Sequence, residues 1–273
     1  QDTVRYTRDV QGTDDRAGYD LNFNYTKTFE QKGRELVADF RYSAGSSTGL
    51  EEFFTQYHTQ DSIFLEQNIS GGDEKFITAQ VDYVHPFENE SQFEGGLKFI
   101  GNNSSAQFLS EFRANDADPW SVNPLYTTDY DYNEQNYSAY GIYGGKLGDF
   151  SYQLGLRAEQ TFFELGVPGV DTINRNYFSV FPSGHISRKL GKDFEAQLSY
   201  SRRINRPRAH QLNPVRNFSD PLNQRAGNPN LKPEYIDAYE LGVTKMIGRN
   251  SLQASLYYLS LIHISEPTRP LYI

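Results

Sequence analysis

The chain has 273 residues, of which 37% are hydrophobic, and its 26 basic and 35 acidic residues leave a net charge of −9. Its mean hydropathy is as low as −0.68, yet 15% of the residues are aromatic, which argues against a disordered chain. No apolar run is long enough for a spanning helix, so a helical membrane protein is excluded. The acidic balance argues against nucleic acid as a partner, and the lack of cysteine excludes disulfides and thiolate chemistry.

Hydrophobic and polar residues alternate along most of the chain, which is the pattern of half-buried β-strands. Residues 18–29 place Tyr19, Leu21, Phe23 and Tyr25 on one face, and asparagine, aspartate and threonine on the other. The same alternation occurs over residues 35–43, and it recurs in segments that start at Phe76, Gln92, Ser151, Phe194, Tyr239 and Leu252. Residues 134–146 and 176–190 have strand composition with weaker alternation. The pattern predicts about ten strands and no helix.

Short and long connections follow each other in a regular order. Short polar turns are predicted at residues 31–34, 88–91, 147–150, 190–193 and 248–250. Long polar stretches, predicted as loops, cover residues 45–73, 101–133, 165–175 and 206–234. Alternation alone also fits a soluble β-sandwich, but tight turns at one end and long loops at the other are typical of membrane β-barrels. We therefore predict an all-β antiparallel meander from a transmembrane barrel.

No catalytic or metal-binding constellation is found in the sequence. None of the five histidines has a second ligand at metal spacing. Pairs of acidic residues, such as Glu51 with Glu52 and Asp116 with Asp118, lie in predicted polar loops. We interpret these pairs as solvated acids, with a glycosidase pair as the minor alternative. The sequence therefore predicts neither an enzyme nor a bound cofactor or metal.

One basic cluster stands out in the segment SRRINRPR, which contains Arg202, Arg203, Arg206 and Arg208. These arginines lie roughly nine to fifteen residues along the strand that starts at Phe194, which is the outer membrane boundary at about 3.3 Å per residue. Alternation directs Arg202 outward and Arg203 toward the lumen. We favour anchoring at the lipid headgroups, since arginines near membrane ends commonly snorkel. The alternative is contact of Arg203 with an anionic ligand.

From Ser201 onward the sequence resembles the late barrel of TonB-dependent outer-membrane receptors, particularly the Bacteroidetes-type outer-membrane β-barrel family. Its most specific element is GNPNLKPE, followed by a strand that contains Tyr239, Glu240 and Leu241. The segments that start at Gly155 and Tyr177 resemble earlier strands of the same barrel, and the similarity covers most of residues 15–258. The residues of the GNPNLKPE motif are Gly227, Asn228, Pro229, Asn230, Leu231, Lys232, Pro233 and Glu234.

The motif also has a physical interpretation. Proline fixes φ and removes a backbone donor, so Pro229 and Pro233 cannot lie in the middle of a strand. Gly227 and Asn228 suit turn conformations. We expect a structural role, in which the motif stiffens the approach to the strand from Tyr235 and sets its register.

The resemblance implies energy-coupled uptake in the bacterial outer membrane. Such receptors bind a scarce ligand, for example a siderophore, a glycan or a peptide, and pass it through a barrel filled by an N-terminal plug domain. The inner-membrane TonB complex supplies the energy. These barrels have about 22 strands, so residues 1–258 are expected to be a partial barrel domain that forms an open curved sheet, without plug, coupling box or signal sequence. The alternatives are a passive outer-membrane porin or assembly barrel, and a soluble all-β carbohydrate-binding or hydrolytic module.

The last residues break the pattern of the final strand. Alternation is regular through Tyr258, and LSLIHISEPTR (Leu259 to Arg269) then follows, in which an apolar LIHI precedes Glu266 and Pro267. Back-translated, this segment resembles a transposon-end sequencing adapter. Residues 259–273 are therefore predicted to be a non-native tail. We expect Ile262 to Ile273 to pack poorly, or merely to extend the last strand without a partner.

Overall fold

The computed structural model describes residues 5–58, 61–124, 126–191, 193–212, 227–228 and 230–262. These residues form one antiparallel sheet and a single four-residue helix, α1 (Ala209–Leu212). None of the helical structure in the described residues is long and apolar enough to cross a membrane. The strands are β1 (Tyr6–Thr28), β2 (Glu35–Tyr57), β3 (Ser62–Pro86), β4 (Gln92–Arg113), β5 (Ser121–Val122), β6 (Thr128–Leu147), β7 (Phe150–Val167), β8 (Val170–Lys189), β9 (Phe194–Asn205), β10 (Glu234–Ile247) and β11 (Asn250–Ile262).

The strands follow one another in the sheet in chain order. The path runs β1-β2-β3-β4-β6-β7-β8-β9-β10-β11, and the two-residue β5 pairs with β4 outside this path. Within the described residues β1 and β11 do not pair with each other, so the sheet is open. The prediction of an all-β antiparallel meander of about ten strands, open rather than closed, is confirmed.

The two faces of the sheet differ in chemistry because the registers are continuous across the strands. We call the face that carries Phe23 the outer face and the opposite face the inner face. On the outer face, Phe23 lies opposite Phe40, and Phe99 lies opposite Tyr137. The corresponding row on the inner face reads Asn24, Asp39, Gln80, Lys98, Ser138, Glu159 and Ser179. Apolar side chains of the outer face remain open to the surroundings, as in Phe23 (63% exposed) and Leu198 (52%). A sandwich would bury these residues between two sheets, so the soluble-sandwich alternative is wrong.

Tight turns join the strands at one end of the sheet, which we call the short-turn rim. They occupy residues 29–34, 87–91, 148–149, 190–193 and 248–249, of which Lys192 lies outside the described residues. In four of them a glycine adopts a positive φ between 61° and 93°, a conformation that side chains with a Cβ avoid: Gly33, Gly148, Gly191 and Gly248. The five predicted short turns therefore lie where the alternation placed them.

The predicted long loops are wrong at residues 45–73 and 165–175, and the loop predicted over residues 101–133 is confirmed only in its central part. Residues 45–57, 62–73, 101–113, 128–133, 165–167 and 170–175 continue the strands, so that β1–β4 are each 22–25 residues long. Among the strands of the described residues, the longer connections are residues 114–127 between β4 and β6, which contain β5, and residues 206–233 between β9 and β10, which contain α1. The physical reason is the environment: beyond the apolar slab both faces of a hairpin meet water, so Gly- and Ser-rich segments such as residues 45–49 carry no alternation.

The final strand continues beyond the point where its alternation ends. Leu259 to Ile262 remain paired with β10, as Ile262 lies opposite Tyr235. An edge strand needs only backbone hydrogen bonds to continue, and any non-proline residue can make them. Residues 263–273 lie outside the described residues, so the non-native origin of the tail stays a prediction.

Candidate functional site

Strands β8 and β9 separate from each other toward the end of the sheet that lies opposite the short-turn rim. Pairing between these strands ends at Ser183 opposite Ser201, whereas β9 continues along β10 as far as Asn205. The connection after β9 then crosses the inner face of β6, β7 and β8. This crossing is the candidate functional site, since it places buried polar groups on the inner face.

A buried carboxylate organises the polar part of the site. Glu159 on β7 is 7% exposed, accepts hydrogen bonds from two side chains and forms an ion pair with a third. The Nε of Arg157 lies 3.0 Å from its Oε1, and the Nη2 of Arg206 donates to its Oε2. The Nδ2 of Asn136 lies 3.4 Å from Oε2 and 2.8 Å from the hydroxyl of Thr161, which is 1% exposed. Buried charge is costly unless it is paired, and here one carboxylate is shared by two guanidinium groups.

Arg206 joins the connection to this carboxylate. Its Nε donates to the hydroxyl of Tyr177 at 3.1 Å, and its guanidinium lies 6.0 Å from the centre of the tyrosine ring. Burial disfavours the charged form of Arg206, but the bond to Glu159 and the proximity of Tyr177 hold its pKa above the ordinary value. Burial raises the pKa of Tyr177 in spite of the guanidinium, so its hydroxyl stays protonated. Arg206 therefore keeps its positive charge next to the carboxylate of Glu159.

An apolar cluster lies next to the polar groups. Its buried members are Tyr132, Phe163, Leu165, Val167 and Leu212. The rings of Tyr132 and Phe163 meet edge to face, with centroids 5.4 Å apart. Burial, together with a hydrogen bond to Glu134, raises the pKa of Tyr132 above its usual range. Because Leu212 belongs to α1, the connection after β9 closes over the inner face of β6 and β7.

The described part of the GNPNLKPE motif returns to the same cluster. Leu231 packs against it, and its carbonyl accepts from the guanidinium of Arg175. The side-chain oxygen of Asn228 accepts from the backbone N–H of Asn230 at 2.9 Å, which fixes a tight turn. The N–H of Asn228 donates to the carbonyl of Gln211 at 2.7 Å. Gly227 precedes this turn, Lys232 and Pro233 follow Leu231, and Glu234 is the first residue of β10. Pro229 lies outside the described residues.

Arg202 is directed outward, on the face of β9 that carries Leu198 and Tyr200. Its guanidinium forms two bonds to Asp237 on β10, from Nε at 2.8 Å and from Nη2 at 2.9 Å. The hydroxyl of Tyr200 donates to the same carboxylate at 2.8 Å. A two-point arginine–carboxylate pair is strong and directional. The carboxylate of Asp237 therefore neutralises the charge of Arg202 on the outer face.

The four arginines of the basic cluster thus occupy different environments. Arg202 and Arg206 pair with carboxylates, whereas Arg203 lies exposed on the inner face. The side chain of Arg208 is also exposed, and its backbone N–H bonds the side chain of Gln211 at 2.9 Å. The structure does not bring the four guanidinium groups together into one anion site.

Two residues of the site were missed by sequence reasoning. Asp237 shares the strand face of Tyr239 and Leu241, and a carboxylate on an apolar face is a signal that it has a cationic partner. Glu159 gave no such signal, because it alternates correctly with the polar face of β7. Its partner Arg206 is 47 residues away in the chain.

The fold is similar to that of solved outer-membrane transporters. The chain aligns with the copper transporter OprC at 13% identity and a TM-score of 0.53, over 94% of this chain and 49% of that one. It aligns with the ferric citrate transporter FecA in the unliganded form at 12% identity and a TM-score of 0.52, over 84% of this chain and 35% of that one. The chain therefore spans between about a third and a half of these two proteins. No curated protein matches its sequence.

The family comparison covers most of the sequence. The model of the outer membrane protein beta-barrel family matches residues 27–264. This match includes every strand from β2 to β11, the connection after β9 and the GNPNLKPE motif. The chain belongs to the outer membrane protein beta-barrel family, and its place is the bacterial outer membrane.

Proposed function

We propose that this chain forms part of the barrel wall of a TonB-dependent outer-membrane receptor, which takes up a scarce ligand in an energy-coupled manner. In this proposal a plug domain elsewhere in the same protein fills the lumen, and the inner-membrane TonB complex pulls on it. The ligand class is a siderophore, a glycan or a peptide. The proposal extends the resemblance of the GNPNLKPE segment from the fold to the activity.

The single observation that carries the proposal is the open sheet with a polar inner face. Ten long strands leave the sheet unclosed in the described residues, and barrels with a plugged lumen have about 22 strands. A small porin-like barrel would close with its own strands and line a channel with polar residues. Here the inner face also carries buried groups such as Glu159 and Thr161, which the connection after β9 covers.

The experiment uses the complete protein encoded by the reading frame that contains this sequence. We expect the purified protein to bind the periplasmic domain of TonB from its host, which can be measured by surface plasmon resonance without knowledge of the ligand. In planar bilayers we expect no steady conductance, because the plug closes the lumen. The control is the same protein with its plug coding region deleted, which should lose TonB binding and conduct.

The alternative function is a passive porin or assembly barrel. It predicts a steady open conductance of the complete protein and no binding to TonB. That combination of results would contradict uptake by energy coupling and leave the family assignment unchanged.

The outer face is expected to contact lipid, which a charge substitution tests. Leu198 is 52% exposed and lies about halfway along the spanning part of β9. We expect Leu198→Arg to lower the free energy of unfolding by about 2–4 kcal/mol, as a lipid-facing arginine does near the bilayer midplane. The neighbouring Ser199→Arg on the inner face should cost less than about 1 kcal/mol. Urea unfolding of the complete protein in lipid vesicles measures both, and equal losses would contradict the assignment of the faces.

We also propose that residues 1–258 are the barrel segment and that residues 259–273 are a sequencing-adapter tail. The family match ends at residue 264 and so includes the first residues of this tail. Amplification of the source DNA across the codon for Tyr258 decides the matter. We expect a different sequence after about this codon, and genomic DNA that encodes HISEPTR would contradict the proposal.

A further inference from the structure

Positive charge and aromatic rings share the outer face at the short-turn rim. By alternation, the outer face near this rim carries four basic side chains, of which three lie in strands and Arg34 directly precedes β2. The strands β1–β4 and β6–β11 place no acidic side chain there. The basic residues are Lys27, Arg34, Arg188 and Lys245. The acidic residues of the same strand ends, Glu35, Glu94 and Glu195, alternate onto the inner face. Further carboxylates, such as Glu30, Glu88 and Asp149, lie in the turns beyond the strands.

Arg34 is the most firmly held of these cations. Its Nε donates to the hydroxyl of Tyr83 at 2.8 Å, and its guanidinium lies 4.5 Å from the ring centre of Phe29. The hydroxyl of Tyr83 lies 3.1 Å from the Nδ1 of His85. Lys27 on the neighbouring strand places its ammonium group 5.2 Å from the same phenylalanine ring. Two cations thus converge on one ring, and Arg34 is oriented before any ligand arrives.

The charge of Arg34 has no carboxylate partner within the described residues. Eight other basic residues of these segments form ion pairs, among them Arg202 with Asp237 on the outer face toward the opposite rim. The bond to Tyr83 uses only Nε, so both Nη groups of Arg34 remain available for an acceptor. A guanidinium with two free amino groups matches the oxygens of a phosphate. This arrangement therefore favours the binding of an anion at this place on the outer face.

We propose that the outer face at the short-turn rim binds the phosphate group of a phospholipid, with Arg34 as the central donor and Lys27 beside it. In outer-membrane barrels the short turns lie on the periplasmic side, so the lipid belongs to the inner leaflet. Aromatic girdles mark this level of the membrane, and Phe29, Tyr83 and Phe87 would contact the glycerol and upper acyl region. Arg188, which lies 4.8 Å from the ring of Phe150, repeats the arrangement further along the sheet. The proposal rests on the family and the fold, and it holds whether the protein is a receptor or a porin.

The test measures lipid bound to the complete protein by native mass spectrometry. The probe is phosphatidylglycerol, titrated into the detergent-purified protein, and the comparison lipid is a diacylglycerol with the same chains and no phosphate. A basic residue near an anionic lipid contributes on the order of a fivefold change in affinity. We therefore expect Arg34→Gln to reduce the affinity for phosphatidylglycerol about fivefold, with little binding of diacylglycerol to either protein.

The matched control is Arg41→Gln in β2, the strand that directly follows Arg34. Arg41 lies on the inner face, where it pairs with the exposed Asp20 at 3.0 Å, so its replacement should leave lipid binding unchanged. If Arg34→Gln does not fold, as judged by heat-modifiability, the exposed Lys27→Gln should still lower the affinity about twofold to fivefold. Equal affinity in the arginine or lysine variant and the original protein would overturn the proposal. So would diacylglycerol that binds as well as phosphatidylglycerol, or displacement of the lipid by millimolar inorganic phosphate, which would indicate a site for the free anion.

Discussion

Replacement of Glu159 by glutamine is expected to destabilise the protein by about 3 kcal/mol, because it leaves buried positive charge without a partner. Glu159 is the shared acceptor for Arg157 and Arg206, and its side chain is 9% exposed. The side chain of Arg206 is itself only 26% exposed, so water replaces the lost carboxylate only in part. Urea unfolding of the complete protein in lipid vesicles measures the change.

Two further variants separate the ion pair from the general effect of a lost charge. Glu240→Gln removes an inner-face carboxylate that has no ion pair within the described residues, and we expect it to cost about 0.5 kcal/mol or less. The double variant Glu159→Gln with Arg206→Gln removes both charges, and it should be less unstable than the sum of the two single variants. Additive losses would contradict a direct pairing of these residues.

The same substitution should also change the connection after β9. Arg206 holds the start of this connection on the inner face, and Leu212 and Leu231 hold it further along. In Glu159→Gln the ion pair of Arg206 is lost, while its bond to Tyr177 and the apolar contacts of Leu212 and Leu231 remain. We expect faster cleavage by added protease between residues 206 and 233, at a protease concentration that leaves the strands intact.

The strands near the short-turn rim could be predicted from the sequence because they cross an apolar slab. In that slab one face meets lipid and the other meets a wet lumen, so the alternation of Leu21 and Phe23 with Asn22 and Asn24 is strict. The turns were equally clear, since glycines such as Gly33 and Gly191 adopt a positive φ there. Both signals are local, and both depend on a few consecutive residues.

The long hairpins could not be predicted in this way. The half of β3 that lies far from the short-turn rim contains Ser70, Gly71 and Gly72. Their backbone hydrogen-bonding groups are satisfied by pairing with Gly49, Thr48 and Ser47. Nothing in the side chains of such a segment distinguishes a strand from a polar loop. The pairing is decided by the neighbouring strand and not by the segment itself.

The carboxylate partners of the arginines could not be predicted from the sequence for a related reason. Four arginines within seven residues form one cluster in the sequence, and alternation separated only Arg202, directed outward, from Arg203, directed toward the lumen. In the structure, Arg202 and Arg206 lie on opposite sides of the sheet, and their carboxylates come from β10 and β7. Strand alternation separates the first two arginines, but the end of β9 at Asn205 releases Arg206 from that alternation. Arg203 lies exposed on the inner face, and its contact with an anionic ligand stays a prediction.

The largest effect is expected for the chain on its own. Residues 1–258 alone should not refold in detergent to a stable monomer, because β1 and β11 end the sheet without a further partner in the described residues. About every second residue of an edge strand directs its N–H and C=O away from the sheet. In hydrocarbon each unpaired group costs several kcal/mol, and a crossing of about 9–11 residues contains several of them on each edge.

This cost exceeds the whole stability of an ordinary domain, which is about 5–15 kcal/mol. We therefore expect aggregates, or oligomers whose edges pair with one another, when the chain is refolded from urea into detergent. Electrophoresis with and without heating measures the outcome, since a folded barrel migrates differently from its heated form. The complete protein, refolded under the same conditions, is the control and should give a heat-modifiable band. A monomeric, heat-modifiable band from residues 1–258 would mean that the two edges find each other, and the open sheet would then be able to close into a small barrel of its own.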